Sequence, residues 1–271
     1  MIISSYNIFI LVFGTIMAVL IIGGVYYFLG KKYFNKKTII KGFRENWKYI
    51  AILVSILLLI CLENAVHPYT TKFTKDYTYL ISSLSNNGKL NILLQNILPK
   101  IFGIYPFSWV YMYLYTFLLF FTPFMLILKN DKKMIKLYTI AIVINYIILI
   151  PFYVFFPVDT PGLYLTNMIK PLLYSNINYK SIIETVDPLD NCFPSGHISV
   201  PFTIVLLFLW FDSKRRYKEY MHFSLIAAIL ITISTLYLGV HWSIDVCAGL
   251  LLAALSVLLT KKYFINKENF K

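Results

Sequence analysis

Charge is scarce in this chain. Only 14% of its 271 residues are charged and only 12 are acidic, against about a quarter charged in an ordinary soluble domain. With 59% hydrophobic residues, that excludes a soluble globular domain and a disordered chain. Cysteine is nearly absent too: Cys61, Cys192 and Cys247 lie far apart and make no Cys-x-x-Cys unit, so neither a zinc site nor a disulfide framework is expected. No basic residue precedes Lys31. The charged start of a secretory signal is therefore missing, and the first apolar run is expected to be retained.

What is present is a series of apolar runs of membrane-spanning length. Seven spans are expected, at about 6–29, 49–66, 107–128, 137–157, 195–211, 221–239 and 243–260. The basic residues are not spread evenly between them. Seven lie in 31–48, four in 129–136, four in 212–220 and four after 260, together nineteen of the 25. Alternate loops thus share one side, and the positive-inside rule makes that side cytoplasmic, with the N-terminus outside and the C-terminus inside. The formal charge of +13 reads as a topology signal plus attraction to anionic inner-leaflet lipid. None of the basic segments is long enough to fold into a nucleic-acid-binding domain, so no nucleic-acid partner is expected. The expected setting is a membrane bilayer, with the plasma membrane as its location.

The outer segment 67–106 is too long for a turn. Leu90, Leu93, Leu94, Ile97, Leu98 and Ile101 recur at helical spacing with Asn91, Gln95, Asn96 and Lys100 between them, which predicts an amphipathic helix lying in the interface. It serves either as a lid or lateral gate or simply as a loop packed on the outer leaflet. Glu63 and Asn64, near the outer end of the second span, are either functional or merely wet.

Two short polar stretches carry the chemistry. Pro194-Ser195-Gly196-His197 opens the fifth span, with Pro194 suited to a first helical turn. The free N–H groups of Ser195, Gly196 and His197 are expected to point outward and form an anion site, the Ser195 hydroxyl adding a donor. A capped helix with a surface histidine would look the same. In the second stretch, His241 and Asp245 are four apart at the start of the seventh span, on one helical face. A carboxylate there can fix the imidazole tautomer and leave the other nitrogen as a nucleophile, although a buried polar pair joining two helices is an alternative. By the topology above, both stretches face outward. Two imidazoles and a carboxylate at a membrane surface point to phosphoryl transfer on a lipid.

Phe193-Pro-Ser-Gly-His197 and the run from Ser234 to Gly249, Ser-Thr-Leu-Tyr-Leu-Gly-Val-His-Trp-Ser-Ile-Asp-Val-Cys-Ala-Gly, resemble the second and third signature motifs of the type 2 phosphatidic acid phosphatase superfamily. The resemblance extends by span order over about residues 49–260. It implies an all-α polytopic bundle with a six-helix core, here at 49–260. Residues 1–48 would add one transmembrane helix and a basic cytoplasmic loop, and 261–271 a basic cytoplasmic tail. It also implies roles: His241 attacks phosphorus and forms a phosphohistidine, Asp245 orients it, and His197 protonates the departing oxygen. Water or an alcohol then takes the phosphoryl group. Neither a metal nor another cofactor is expected.

The departures bear on substrate. The family's third motif has an Arg six residues before the nucleophilic His, where this chain has Thr235. Its first motif pairs a Lys with an Arg-Pro, and the loop 158–193 holds no Arg, only Lys170-Pro171, with Leu163 in place of the partner Lys. Arg binds two phosphate oxygens with a planar fork that Lys does not reproduce. Three readings follow: a lipid phosphatase in which Ser195, Gly196 and Lys170, with Lys180 as a further charge, hold a phosphomonoester or pyrophosphate; a phospho-headgroup transferase or diesterase like the inositol-phosphorylceramide and sphingomyelin synthase branch; or a lipid-binding scaffold. The first is the expectation adopted, with a lipid phosphate as the substrate.

Overall fold

A computed structural model describes residues 5–100, 103–175 and 188–268. Among them the chain is helical, with no strand beyond a single parallel bridge between Val158 and Asn191. Helix α1 (Ser5–Gly24) runs into a π-helical turn, Val25–Leu29. Helix α2 (Lys36–Glu45) is short, and α3 (Trp47–Thr70) is long. Two small helices, α4 (Thr78–Leu84) and α5 (Lys89–Ile97), follow. Next, α6 (Tyr105–Trp109) continues through a π-helical stretch, Val110–Leu114, into α7 (Tyr115–Leu128). Helix α8 (Lys132–Phe155), the single turn α9 (Pro161–Tyr164), α10 (Gly196–Phe211), α11 (Lys218–Tyr237) and α12 (Ser243–Glu268) complete the chain.

Among the described residues, six helices are long and apolar enough to cross a membrane, and large side chains such as Leu11, Leu58, Ile147 and Leu251 stand exposed on their outer faces, as lipid contact requires. The chain is an integral membrane protein of the all-α polytopic class. The remaining expected span, 195–211, is α10, apolar but only 16 residues long. At 1.5 Å per residue that is about 24 Å, short of a hydrocarbon layer of about 30 Å. It is the enclosed helix, packed against α7, α8, α11 and α12. A buried polar ladder ties it to α8: Ser199 donates to Asn145 (2.9 Å), and the Asn145 amide donates to the Thr203 hydroxyl (3.1 Å).

The three basic interhelical segments meet at one end of the bundle. Asn35 caps α2, accepting from the Lys37 N–H (2.8 Å), and Asp131 caps α8, accepting from the Met134 N–H (3.1 Å). Asn130 joins Asn46 and Glu45, and Asp131 also accepts from Arg216 (2.7 Å) and from the Tyr217 hydroxyl (2.9 Å). Residues 45–46, 130–131 and 216–217 are thus in direct contact, which is what alternation of spans demands. Helix α12 runs on to Glu268, so the segment after 260 begins as a continuation of the helix rather than as a separate tail.

Candidate active site

At the opposite end, the turn between α11 and α12 meets the start of α10. Gly239 makes the turn possible: its φ is +74°, and a Cβ there would stand 2.8 Å from the Lys170 carbonyl oxygen. Gly249 then lets α12 approach α10, since a Cβ would meet the Ser195 carbonyl oxygen at 2.8 Å and Ile198 Cβ at 2.9 Å. The close approach puts the His197 and His241 rings 5.8 Å apart between centroids.

His241 is buried, 3% exposed. Its Nδ1 lies 3.1 Å from the Cys192 carbonyl oxygen and 3.5 Å from Asp245 Oδ2. Two acceptors on one side place the proton on Nδ1 and leave the lone pair on Nε2. Nε2 is buried and has no hydrogen-bond partner among the described residues. Asp245, fully buried, also accepts from the Trp242 N–H at 2.7 Å, which orients the carboxylate. The carbonyl of Cys192 is therefore nearer to Nδ1 than the carboxylate is, a support that no side-chain pattern could announce. Cys192 Sγ and ligand atoms of His241 and Asp245 also lie within 4.8 Å of one another. Sequence spacing set that thiol aside because the loop and α12 meet only in the fold.

His197 is held by aromatic faces. Tyr111, in the π-helical stretch, stacks on it at 4.3 Å and 21°, and Tyr115 lies at 4.2 Å. Four residues apart, the two tyrosines share a helical face and so reach the same ring, and hydropathy alone gave no sign of it.

The anion site differs from expectation. Pro194 lies outside the helix, Ser195 is the cap, and α10 begins at Gly196. The Ser195 N–H donates to the Asp245 carbonyl (3.3 Å) and the Gly196 N–H to the Tyr153 hydroxyl (3.1 Å), which in turn donates to the Pro194 carbonyl (3.2 Å). Two of the N–H groups expected to be free are thus engaged by α12 and α8, because the helix start is packed inside the bundle rather than at its rim. The Ser195 hydroxyl is buried without a hydrogen-bond partner among the described residues. Lys170 has its backbone pinned by both ends of the Gln95 amide (2.8 and 2.9 Å) and its side chain exposed. Thr235 is buried, its hydroxyl turned back to the Thr232 carbonyl (2.9 Å). All three arginines, Arg44, Arg215 and Arg216, belong to the basic segments at the other end. Lys180 lies outside the described residues.

The amphipathic segment is α5, and its polar face turns inward. Asn91, fully buried, donates to the carbonyls of Leu236 (2.8 Å) and His241 (2.9 Å), and Gln95 donates to the Tyr237 carbonyl (2.9 Å). Leu90, Leu93 and Ile97 are the exposed side chains. The helix is therefore a brace tied to the His241 turn rather than a free lid, with an apolar face left exposed. The i, i+4 spacing of Asn91 and Gln95 was the available signal.

Residues 164–268, which include both motifs and helices α10–α12, match the family model described as the PAP2 superfamily. The resemblance read from the motifs is borne out there. The chain is 29% identical over 133 residues to an undecaprenyl-diphosphatase of Sulfolobus acidocaldarius, covering 49% of this chain and 56% of that protein. It is 37% identical over 81 residues to the bacitracin transport permease protein BcrC of Bacillus licheniformis, covering 30% of this chain and 36% of that one. The chain thus spans about half or less of the length of the curated relatives it matches. No solved structure matches it.

Proposed function

We propose that this protein is an integral membrane lipid phosphatase that hydrolyses a lipid phosphomonoester or pyrophosphate through a phosphohistidine on His241. The observation that carries the proposal is the unpartnered, buried Nε2 of His241, backed on Nδ1 by the Cys192 carbonyl and Asp245 and facing His197 across 5.8 Å. Nε2 attacks phosphorus as the bond to the leaving oxygen breaks, and His197 delivers a proton to that oxygen. The Nδ1–H stays with its two acceptors, which support the positive charge that develops on the ring. Water then attacks the phosphohistidine, giving inorganic phosphate and free His241, with His197 accepting the water's proton. The Ser195 hydroxyl serves as a donor to the phosphoryl oxygens, as does the Gly196 N–H once the Tyr153 hydroxyl yields its place. No step requires a metal ion.

The relatives support a choice of substrate class. A protein similar over half of this chain is named for a polyprenyl diphosphate, which puts that class first here. The six helices from 49 to 260 form the catalytic unit, residues 1–48 add a helix and a basic loop, and 261–271 add a basic end that begins as the last turns of α12. The positive-inside rule sets the basic end in the cytoplasm and the site at the outer face of the plasma membrane.

A second reading rests on a specific observation: no arginine is near the site. A phosphodiester bears one negative charge, needs fewer cationic ligands, and suits a phospho-headgroup transferase. The test is phosphate release by purified protein in detergent with chelator, over polyprenyl phosphates, pyrophosphates and phosphatidate, with His241→Ala as control. Release lost in the variant supports the phosphatase. Headgroup transfer without phosphate release selects the second reading, and strict dependence on a divalent cation would refute the phosphohistidine mechanism.

A further inference from the structure

An acid and an imidazole are buried on α3, a helix that otherwise exposes most of its side chains. Glu63 and His67, each 4% exposed, are one turn apart on α3. Their partners lie in the segment just before the Phe-Pro-Ser-Gly-His motif. His67 Nε2 is 2.6 Å from Asp190 Oδ1 and Nδ1 is 3.3 Å from Glu63 Oε1, while the Asn191 amide donates to the same Glu63 oxygen at 3.2 Å. Nε2 is hydrogen-bonded to Asp190, whereas Nδ1 meets Glu63 at ion-pair distance without hydrogen-bond geometry, and the two flanking carboxylates together favour the imidazolium. Removing either partner would leave a buried charge uncompensated.

The segment held in this way leads directly to the site. The Asp190 carbonyl accepts from the Val158 N–H (2.7 Å), and the Cys192 N–H donates to the Val158 carbonyl (3.3 Å). Two residues beyond Asp190, the Cys192 carbonyl receives the Nδ1–H of His241. We infer that Glu63, His67 and Asp190 form a positioning device: the imidazolium on α3 pins residues 190–192 so that the Cys192 carbonyl keeps His241 in its Nδ1–H tautomer with Nε2 directed at phosphorus. His67 touches no reacting atom; it acts through the loop. The inference rests on the phosphoryl-transfer reading above.

The test uses the full chain in detergent with three replacements at one position. His67→Leu removes both contacts. His67→Gln puts an amide nitrogen near the place of Nε2 and keeps the bond to Asp190, whereas the shorter His67→Asn reaches only toward Glu63. The expected loss for Leu and Asn is about tenfold or more in kcat, the scale on which supports of a reacting histidine act. KM should stay within about twofold, because ground-state binding is untouched. Gln should recover most of the rate. A parallel readout needs no turnover: with Cys61 and Cys247 replaced by serine, buried Cys192 should react faster with a water-soluble maleimide in the Leu and Asn variants, but not in the Gln variant. Melting temperatures identify any variant that fails to fold, and the Gln and Asn pair decides if Leu does not accumulate. Equal kcat in Gln and Asn, or a change confined to KM, overturns the inference. If the wild type turns over no lipid phosphate, the functional reading fails by itself, and Cys192 labelling still judges the clamp: equal rates in wild type and His67→Leu sink it.

Discussion

Replacing Asn91 with alanine should unseat the His241 turn from a distance of 150 residues in sequence. The Asn91 amide donates to the His241 carbonyl (2.9 Å) and to the Leu236 carbonyl (2.8 Å). Leu236 keeps a second donor, the Gly239 N–H at 3.2 Å, so its loss is that of an ordinary hydrogen bond, about 1 kcal/mol. The His241 carbonyl belongs to a buried residue and loses the donor that α5 brings to it, which costs about 1–3 kcal/mol. The sum, about 2–4 kcal/mol, is a large share of a typical folding free energy of about 5–15 kcal/mol. For a chain of this size each kcal/mol lowers the melting point by about 2–4 °C. Thermal unfolding in detergent, followed by intrinsic fluorescence, should therefore show a fall of roughly 4–16 °C, together with a lower kcat. Asn91→Asp should be worse than alanine, because it sets carboxylate oxygens against two carbonyl oxygens. Asn96→Ala, exposed on the same helix, should change neither quantity. If Asn91→Ala melts with the wild type and keeps its rate, the reading of α5 as a brace is wrong.

Two further outcomes follow from the geometry. Gly249→Ala inserts a methyl 2.8 Å from the Ser195 carbonyl oxygen and 2.9 Å from Ile198 Cβ; overpacking of this kind costs about 1–3 kcal/mol. It should push α10 away from α12 and lower kcat through the His197–His241 spacing, whereas Gly14→Ala, which meets nothing, should leave the rate alone. Asp159 has its carboxyl raised above the usual range by burial and then by the charges of Asp76 and Asp190. A raised folded-state value means that its contribution to stability is present at low pH and lost as pH rises through that value. Asp159→Asn should accordingly melt above the wild type at neutral pH and converge with it as pH falls toward 4, and a lower melting point at pH 7 would show that the ionised group is held by something favourable.

Much of the site was legible in the sequence for local reasons. His241 and Asp245 are brought together by closeness in sequence, but not on one helical face as expected: α12 begins at Ser243, so His241 sits in the turn before it and the Asp245 carboxylate folds back over that turn onto the Trp242 N–H and toward His241. Pro194-Ser195-Gly196 marks a helix start through backbone chemistry that acts within a few residues. The misreadings came where an element's surroundings, and not its own pattern, decide what a polar group meets. Any helix start leaves its first N–H groups free, so the sequence predicts them free at Ser195 and Gly196; α12 and Tyr153 on α8 supply the acceptors. The periodicity of α5 predicts a helix with two faces and says nothing of which one the protein covers; the fold turns the polar one inward.

By itself, then, the sequence determined the helices, the clustering of its basic segments at one end, and which side chains could carry phosphoryl chemistry. Hydropathy, charge and helical pitch are properties of neighbouring residues and need no partner to act. The tertiary structure alone decided what steadies those side chains. The Cys192 carbonyl on His241, Asn91 beneath the same turn, and Asp190 on His67 span separations of 49, 150 and 123 residues. Each is a hydrogen bond between groups found on almost any surface, and it acquires meaning only when packing brings both into a space from which water is excluded.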